Sequence, residues 1–265
     1  MRYPRGYVAL SDTYDVPVLL HIRNARAIQF DQLHDLILCD GAGASVNSLR
    51  WRVARMERTG VIQRFSDVRH LGKPVYGITP TGIDFLESRG HMLISLPSTT
   101  DKILHPLQVP HALELVNIRL ALLRAGILLA WKCELEVTSR NLVLGGPAAK
   151  DYDAIAEISV DGVAHLVAIE YERSSKKIAR YREIREILSQ DQTVGTVLYL
   201  AVSNDLLYLL VYELSAAHKR IGFALSDSFR RSPLDTRIIL NNTNNDPVLL
   251  NELFAGERPR SGTTY

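Results

Sequence analysis

Cysteine is scarce in this chain, with only Cys39 and Cys133 among 265 residues. Two thiols cannot build a disulfide framework. There is no Cys-x-x-Cys and no closely paired histidine beside either cysteine, so zinc-ligand spacing is absent. Each cysteine lies within or beside an apolar run, and both read as buried thiols of a reducing compartment. Net charge is also scarce. A formal charge of +2 excludes a general polycation, so any nucleic-acid surface must come from local clustering of Arg and Lys. Long apolar runs are missing too. The longest, residues 120–131, is interrupted by Arg124 and falls short of the roughly 20 residues a bilayer span needs. The start, Met1-Arg-Tyr-Pro-Arg-Gly-Tyr7, holds no apolar core of signal-peptide length. These absences together predict a cytoplasmic protein with no membrane partner. No P-loop, dinucleotide glycine pattern or Ser/His/Asp motif is recognisable. His105, His111 and His165 are scattered and read as structural.

What remains is an ordinary globular composition, 46% hydrophobic and 23% charged. The length suits one large domain or two modest ones. Residues 16–28 and 30–39 show apolar spacing of helical period, with Asp31 placed to cap the second helix. A turn at 41–45 leads to a third helix over about 46–59, capped near Ser45 or Asn47 and stopped by Gly60. Two short extended runs follow, 61–65 and 74–78, around a loop that holds Arg69, His70 and Lys73. The segment closes on a helix from Thr79, whose early Pro80 fits a first turn. Residues 1–90 therefore form one domain, and 91–108, broken by prolines, form a connector.

Residues 109–240 carry a second pattern. An apolar helix covers 112–129, and 132–144 reads as extended. Strands at 152–160 and 163–172 are joined by Asp161-Gly162, a hairpin signal. A charged helix lies over 176–188, a buried β-branched strand over 193–202 and a helix over 205–220. The tail from 241 to 265 reads as loose. The fold class is thus α+β, with a mixed sheet flanked by helices in the second domain.

Three acids stand where chemistry could occur. Asp153 opens one hairpin strand, and Glu170 and Glu172 close its partner, Leu166-Val-Ala-Ile-Glu-Tyr-Glu172. Period-two alternation puts Glu170 and Glu172 on one face, and antiparallel pairing can set Asp153 beside Glu170. Glu134 and Glu157 are nearby candidates. Paired carboxylates can hold Mg²⁺ or Mn²⁺ against a phosphodiester, helped by a nearby amine. Lys176 and Lys177 follow on the next helix. The plainer reading is solvated acids at strand ends.

The third helix carries Arg50, Arg52, Arg55 and Arg58 against one acid, Glu57. Leu49, Val53 and Met56 should face the core. That turns Asn47, Ser48, Arg50, Arg52 and Arg55 toward a groove, where arginine forks match guanine edges and phosphates. Trp51 could pack in the core, the favoured reading, or lie against the DNA backbone. Arg69, His70 and Lys73 would reach a minor groove or phosphates. A second basic run, Arg173, Lys176, Lys177, Arg180, Arg182 and Arg185, is interleaved with Glu183 and Glu186. It reads equally well as an internally paired helix.

The stretches Leu49-Arg-Trp-Arg-Val-Ala-Arg-Met56 and Tyr76-Gly-Ile-Thr-Pro-Thr-Gly82 resemble the winged helix-turn-helix family. The helix–three-strand–helix–strand order from 112 to 202 resembles the PD-(D/E)xK, restriction-endonuclease-like family. In that comparison Asp153 and Glu170 match the two acids, and Glu172 stands where the lysine is usual. The whole succession is similar to the replication-relaxation proteins of plasmids and integrative elements. It includes His111-Ala-Leu-Glu-Leu, Trp131-Lys-Cys-Glu134, Ile169-Glu-Tyr-Glu-Arg173 and Ala179-Arg-Tyr-Arg182. The resemblance implies binding of double-stranded DNA in replication, mobilisation or transcriptional control of a mobile element. It needs no cofactor for that binding and has a degenerate nuclease-like domain. A homodimer and replication or mobilisation proteins are the further partners it admits. Two alternatives stand beside it. One is a metal-dependent endonuclease, with Asp153 and Glu170 as Mg²⁺ or Mn²⁺ ligands, Glu172 as an auxiliary ligand and Lys176 or Lys177 as the displaced base. The other is an interaction module whose winged helix packs on protein.

Overall fold

The computed structural model describes residues 10–41, 45–65, 72–94, 106–144, 149–241 and 246–255. They form an α+β protein that divides into two compact units, Met1–Val116 and Asn117–Tyr265. The division falls inside a helix rather than at the expected connector. Most of that connector, residues 95–105, lies outside the described residues.

The first unit runs α1 (Asp15–Ala25), β1 (Ile28–Gln29), α2 (Phe30–Cys39), α3 (Val46–Arg58), β2 (Ile62–Arg64), β3 (Val75–Ile78) and α4 (Pro80–Glu87). Its three strands form an antiparallel sheet ordered β1-β3-β2. The apolar spacing predicts a first helix that runs to residue 28. The helix ends three residues earlier because Arg26 takes a positive φ of 61°, which an α-helix cannot continue through. Ile28 and Gln29 are thereby free to pair with Tyr76 and Val75.

Capping follows the sequence at two helices. The Ser45 hydroxyl accepts from the Ser48 amide at 3.2 Å. The Thr79 hydroxyl accepts from the Gly82 amide at 3.1 Å, with Pro80 in the first turn. It does not at α2, where the Gln32 side chain accepts from the Gln29 amide and Asp31 sits one residue inside the helix. Leu49, Val53 and Met56 are buried as expected. The amino-terminal half of α5 (Val109–Arg124) belongs with this unit. Val109, Ala112 and Leu113 join Ala27 and Val75 in one apolar cluster. The Gln32 amide donates to the Leu113 carbonyl at 2.9 Å.

The second unit holds β4 (Leu128–Cys133), α6 (Glu134–Leu144), β5 (Ala154–Val160), β6 (Val163–Glu172), α7 (Ile178–Gln190), β7 (Thr196–Ala201), α8 (Asn204–Leu214), β8 (Arg220–Leu225), α9 (Ser226–Arg231) and β9 (Ile239–Leu240). They build a six-stranded sheet in sequential order β4 to β9. β6, β7 and β8 are parallel, and the other neighbours are antiparallel. The hairpin turn is as expected, with Asp161 and Gly162 both at positive φ, 51° and 77°, as a tight two-residue turn requires. Tyr181, Ile184 and Leu188 of α7 and Leu206, Leu210 and Leu214 of α8 pack in one cluster with Ile155, Ala168, Val197, Tyr199 and Phe223 of the sheet.

Four expectations fail here. The apolar helix read over 112–129 ends at Arg124, and residues 128–133 form β4. Residues 134–144 are helical, not extended. The acids Glu134 and Glu136 sit in the first turn of α6, where the helix dipole favours them, and Glu136 accepts from the Cys133 amide at 3.0 Å. The helix from 205 stops at Leu214, and residues 220–225 form β8 instead. The tail expected to be loose departs from that over 246–255. Val248 bridges to Ile238, Leu250, Leu253 and Phe254 are buried, and Phe254 stacks on His165 at 4.3 Å. Cys133 is buried as read, but Cys39 is exposed. Among the described residues no helix is long and apolar enough to cross a membrane.

Candidate functional site

The acids do come together. β5 and β6 pair Ala154 with Ile169, so Asp153 enters the strand across from Glu170. β6 and β7 pair Glu170 with Tyr199 and Glu172 with Ala201. Alternation places both glutamates on the sheet face that carries Ala168, beneath α7 and α8. Only 8% of Glu170 and 7% of Glu172 is exposed, which excludes the solvated strand-end reading for this pair.

Burying carboxylates is unfavourable unless each is paired, and each of these is. The Asp153 carboxylate accepts from the Tyr171 amide at 2.8 Å. Lys176 pairs with Glu172 one helical turn away in sequence. Lys150 pairs with Glu170. Lys150 is not among the residues that the sequence pattern points to. Its signal was its place three residues before Asp153, on the segment that the hairpin folds back against Glu170. Its ammonium also lies 4.5 Å over the ring of Tyr152, whose hydroxyl donates to Asp191 at 2.7 Å. Lys177 is exposed at the start of α7. Glu157 is half-buried on β5, and Glu134 opens α6.

Burial pushes the Glu170 carboxyl up to about 7, an effect that Lys150 offsets only in part and that Asp153 and Glu172 reinforce. The Tyr199 phenol is buried among the same acids, and its hydroxyl has no hydrogen-bond partner among the described residues. Burial first, then Glu170 and Glu172, hold its pKa well above the ordinary value.

The raised carboxyl gives a testable pH dependence. Folded Glu170 holds its proton more tightly than the unfolded chain does, so its ionisation opposes folding. Its contribution to stability is full below the ordinary value of 4.5 and is lost as pH rises through about 7. At about 1.4 kcal/mol per pKa unit the loss is on the order of 3 kcal/mol. Chemical denaturation of wild type and Glu170→Gln between pH 4.5 and 7.5 should show the difference between them changing by this order. A constant difference across the range would mean the carboxyl titrates normally.

Mg²⁺ or Mn²⁺ fits poorly here. Three carboxylates face two ammonium groups, which leaves little negative charge to hold a divalent ion, and the raised Glu170 pKa leaves less. Among the described residues no group of three or more His, Cys, Asp or Glu side chains is arranged to hold a metal. The cluster instead clamps the end of the β5–β6 hairpin to the segment leading into α7.

In comparisons with protein families, with curated proteins and with solved structures, nothing matches this chain.

The second candidate is α3. The structure sorts its arginines into two groups. Arg52 reaches the fully buried carboxylate of Asp15 on α1 at 3.2 Å, and Arg55 pairs with the same carboxylate. These two hold α3 to α1. Arg50 is exposed, its guanidinium 5.7 Å from the Phe30 ring centre. Arg58 and Asn47 are exposed, and Ser48 is half-buried at the capped turn. Trp51, expected in the core, is 73% exposed. The opposite face already supplies Leu49, Val53 and Met56, and Trp51 lies off that stripe. Lys73 pairs with Asp31 at 2.5 Å across the exposed surface, so it reaches back to α2 rather than outward. Arg69 and His70 lie outside the described residues. In the second basic run Arg180 pairs with Glu183 at 2.7 Å, and Arg185 lies 3.5 Å from Glu213 of α8. The first contact follows the paired-helix reading, and the second ties α7 to α8 instead.

The exposed residues Asn47, Arg50, Trp51, Ala54 and Arg58 recur at intervals of three and four, which is one stripe of a helix. The stripe contains two arginines and no acid.

Proposed function

We propose that this chain binds double-stranded DNA through the exposed stripe of α3. The observation that carries the reading is that stripe itself, cationic and polar with a large aromatic at its centre, on a helix backed by a fully buried face. A major groove admits one α-helix, and arginine and asparagine side chains are the groups that pair with base edges there. The helix, strand and sheet order of the first unit, with α3 followed by a two-stranded return, supports a winged helix-turn-helix. The mixed sheet of the second unit, with β4, α6, the β5–β6 hairpin, α7 and β7 in succession and three acids at the open end of the hairpin, supports a restriction-endonuclease-like core. Their succession in one chain supports a role like that of the replication-relaxation proteins, in replication, mobilisation or transcriptional control of a plasmid or integrative element. The lysine-paired acids favour a second unit that contributes scaffold or assembly rather than strand cleavage.

The test is duplex affinity measured against salt. The double variant Arg50→Ala/Arg58→Ala should lose more than about tenfold in affinity, since each arginine contact contributes on the order of 1–3 kcal/mol. Its salt dependence should flatten as phosphate contacts are lost. Arg55→Ala is a poor probe of contact because it strips a partner from buried Asp15, so its main effect should be on thermal stability. Wild-type protein that ignores duplex DNA at low salt, or a double variant that binds undiminished, would overturn the proposal. In the same preparations, supercoiled plasmid with Mg²⁺ or Mn²⁺ should stay intact, and nicking abolished by Asp153→Ala would restore the endonuclease alternative.

A further inference from the structure

From the centre of that stripe we infer that Trp51 and Ala54 read thymine methyl groups in the major groove, giving the protein a requirement for T·A pairs at the middle of its site. The inference rests on the DNA-binding reading above and adds what the helix selects.

Trp51 is 73% exposed on a helix whose buried face is already complete. It lies one turn after Asn47 and beside Arg50, with exposed Ala54 three residues on. Nothing on this stripe is acidic, so its charge complements a polyanion, and a single helix of 13 residues suits one groove. Within a major groove the base edges offer hydrogen-bond donors and acceptors, and a single apolar group, the C5-methyl of thymine. An indole facing those edges loses its water shell favourably only against that methyl. Otherwise it desolvates polar edges that it cannot pair, which costs free energy. Ala54 is small enough to let the helix approach and offers its own methyl to a neighbouring pair. Asn47, one turn earlier, has the donor and acceptor that pair with adenine N7 and N6, the complement of the same thymine. Arg50 and Arg58 flank this apolar centre, where guanine edges or phosphates suit them.

The experiment uses the full chain. Preferred duplexes are selected from a random pool, and then each thymine in turn is replaced by deoxyuridine. That exchange removes the methyl and leaves every hydrogen-bonding group in place. The selected sites should share at least one T·A pair. Uracil there should weaken wild-type binding about three- to fivefold, as removal of one buried methyl implies. Trp51→Ala should bind more weakly than wild type and should not distinguish thymine from uracil at that position. A selected consensus without T·A pairs overturns the inference, as does a wild type indifferent to uracil. So does a Trp51→Ala variant that keeps the thymine preference. If Trp51→Ala only converts a dimer to a monomer, the indole belongs to a contact between two copies and the inference falls. Wild type that binds duplexes but ignores the methyl defeats this inference alone. Failure to bind any duplex defeats the DNA-binding reading as well.

Discussion

Gly82→Ala should destabilise the first unit by about 3 kcal/mol or more. In an exposed helix the same change is stabilising by up to about 1 kcal/mol, because glycine is the poorer helix former. Here the sign reverses. A Cβ on Gly82 would stand 2.1 Å from the Val61 carbonyl oxygen and 2.7 Å from a side-chain carbon of Ile78. The first obstacle is backbone, and it is already engaged, since the Val61 carbonyl accepts from the Thr79 amide at 3.1 Å. Relief would require α4 to lift from the start of β2, breaking the contact between the helix cap and the sheet. For a unit of this size, a loss of that order lowers the melting temperature by about 10–20 °C. Thr81→Ala, at an exposed position in the same turn, should leave it nearly unchanged. A Gly82→Ala protein that melts with wild type would show that α4 can shift freely.

The second large effect should come from Asp191→Ala in the other unit. This carboxylate has no exposed side-chain surface. It accepts from Lys219 at 2.7 Å, from the Tyr152 hydroxyl at 2.7 Å and from the Thr193 hydroxyl at 2.7 Å. Burial works to raise its pKa, but hydrogen bonds from Lys219, Thr193 and Tyr152 outweigh burial and hold it below the ordinary value. Lys219 uses its remaining donors on the carbonyls of Asp191 and Val194, at 2.7 and 2.9 Å. Removing the carboxylate strands a buried ammonium and a buried phenol together, and breaking such a pair costs about 3–5 kcal/mol. The double variant Asp191→Ala/Lys219→Met should be more stable than Asp191→Ala alone, because the stranded charge has gone. Equal or additive losses would show that the two side chains do not depend on each other. Tyr152 ties this network to the acid cluster, since its ring lies under Lys150 and Lys150 holds Glu170.

Local signals carried much of the fold. Asp161-Gly162 announced the hairpin, Ser45 and Thr79 announced two helix starts, and the β-branched run over 193–202 announced a buried strand. What failed were features settled by partners distant in sequence. The pairing of Arg52 and Arg55 was not legible because their acid, Asp15, lies on another helix nearly forty positions away. Lys150 was overlooked because only the β5–β6 pairing brings it to Glu170. The helix at 134–144 was misread because its β-branched residues suit a strand, although Glu134 and Glu136 in its first turn were a helix signal in plain view. The Tyr76-Gly-Ile-Thr-Pro-Thr-Gly82 stretch was recognised as a motif, but the reason for Gly82 became apparent only with Val61 packed against it.

The chain has two tryptophans, and they fall one to each unit, Trp51 on α3 and Trp131 on β4. Each unit thus carries its own intrinsic fluorophore. Trp51 already emits from water in the folded protein, so its spectrum is nearly blind to unfolding and responds to whatever covers α3. Trp131, paired in the sheet with Ala156, responds to the integrity of β4 and β5. A Trp131→Phe chain is therefore a label-free titration probe, and a Trp51→Phe chain is a folding reporter for the other unit.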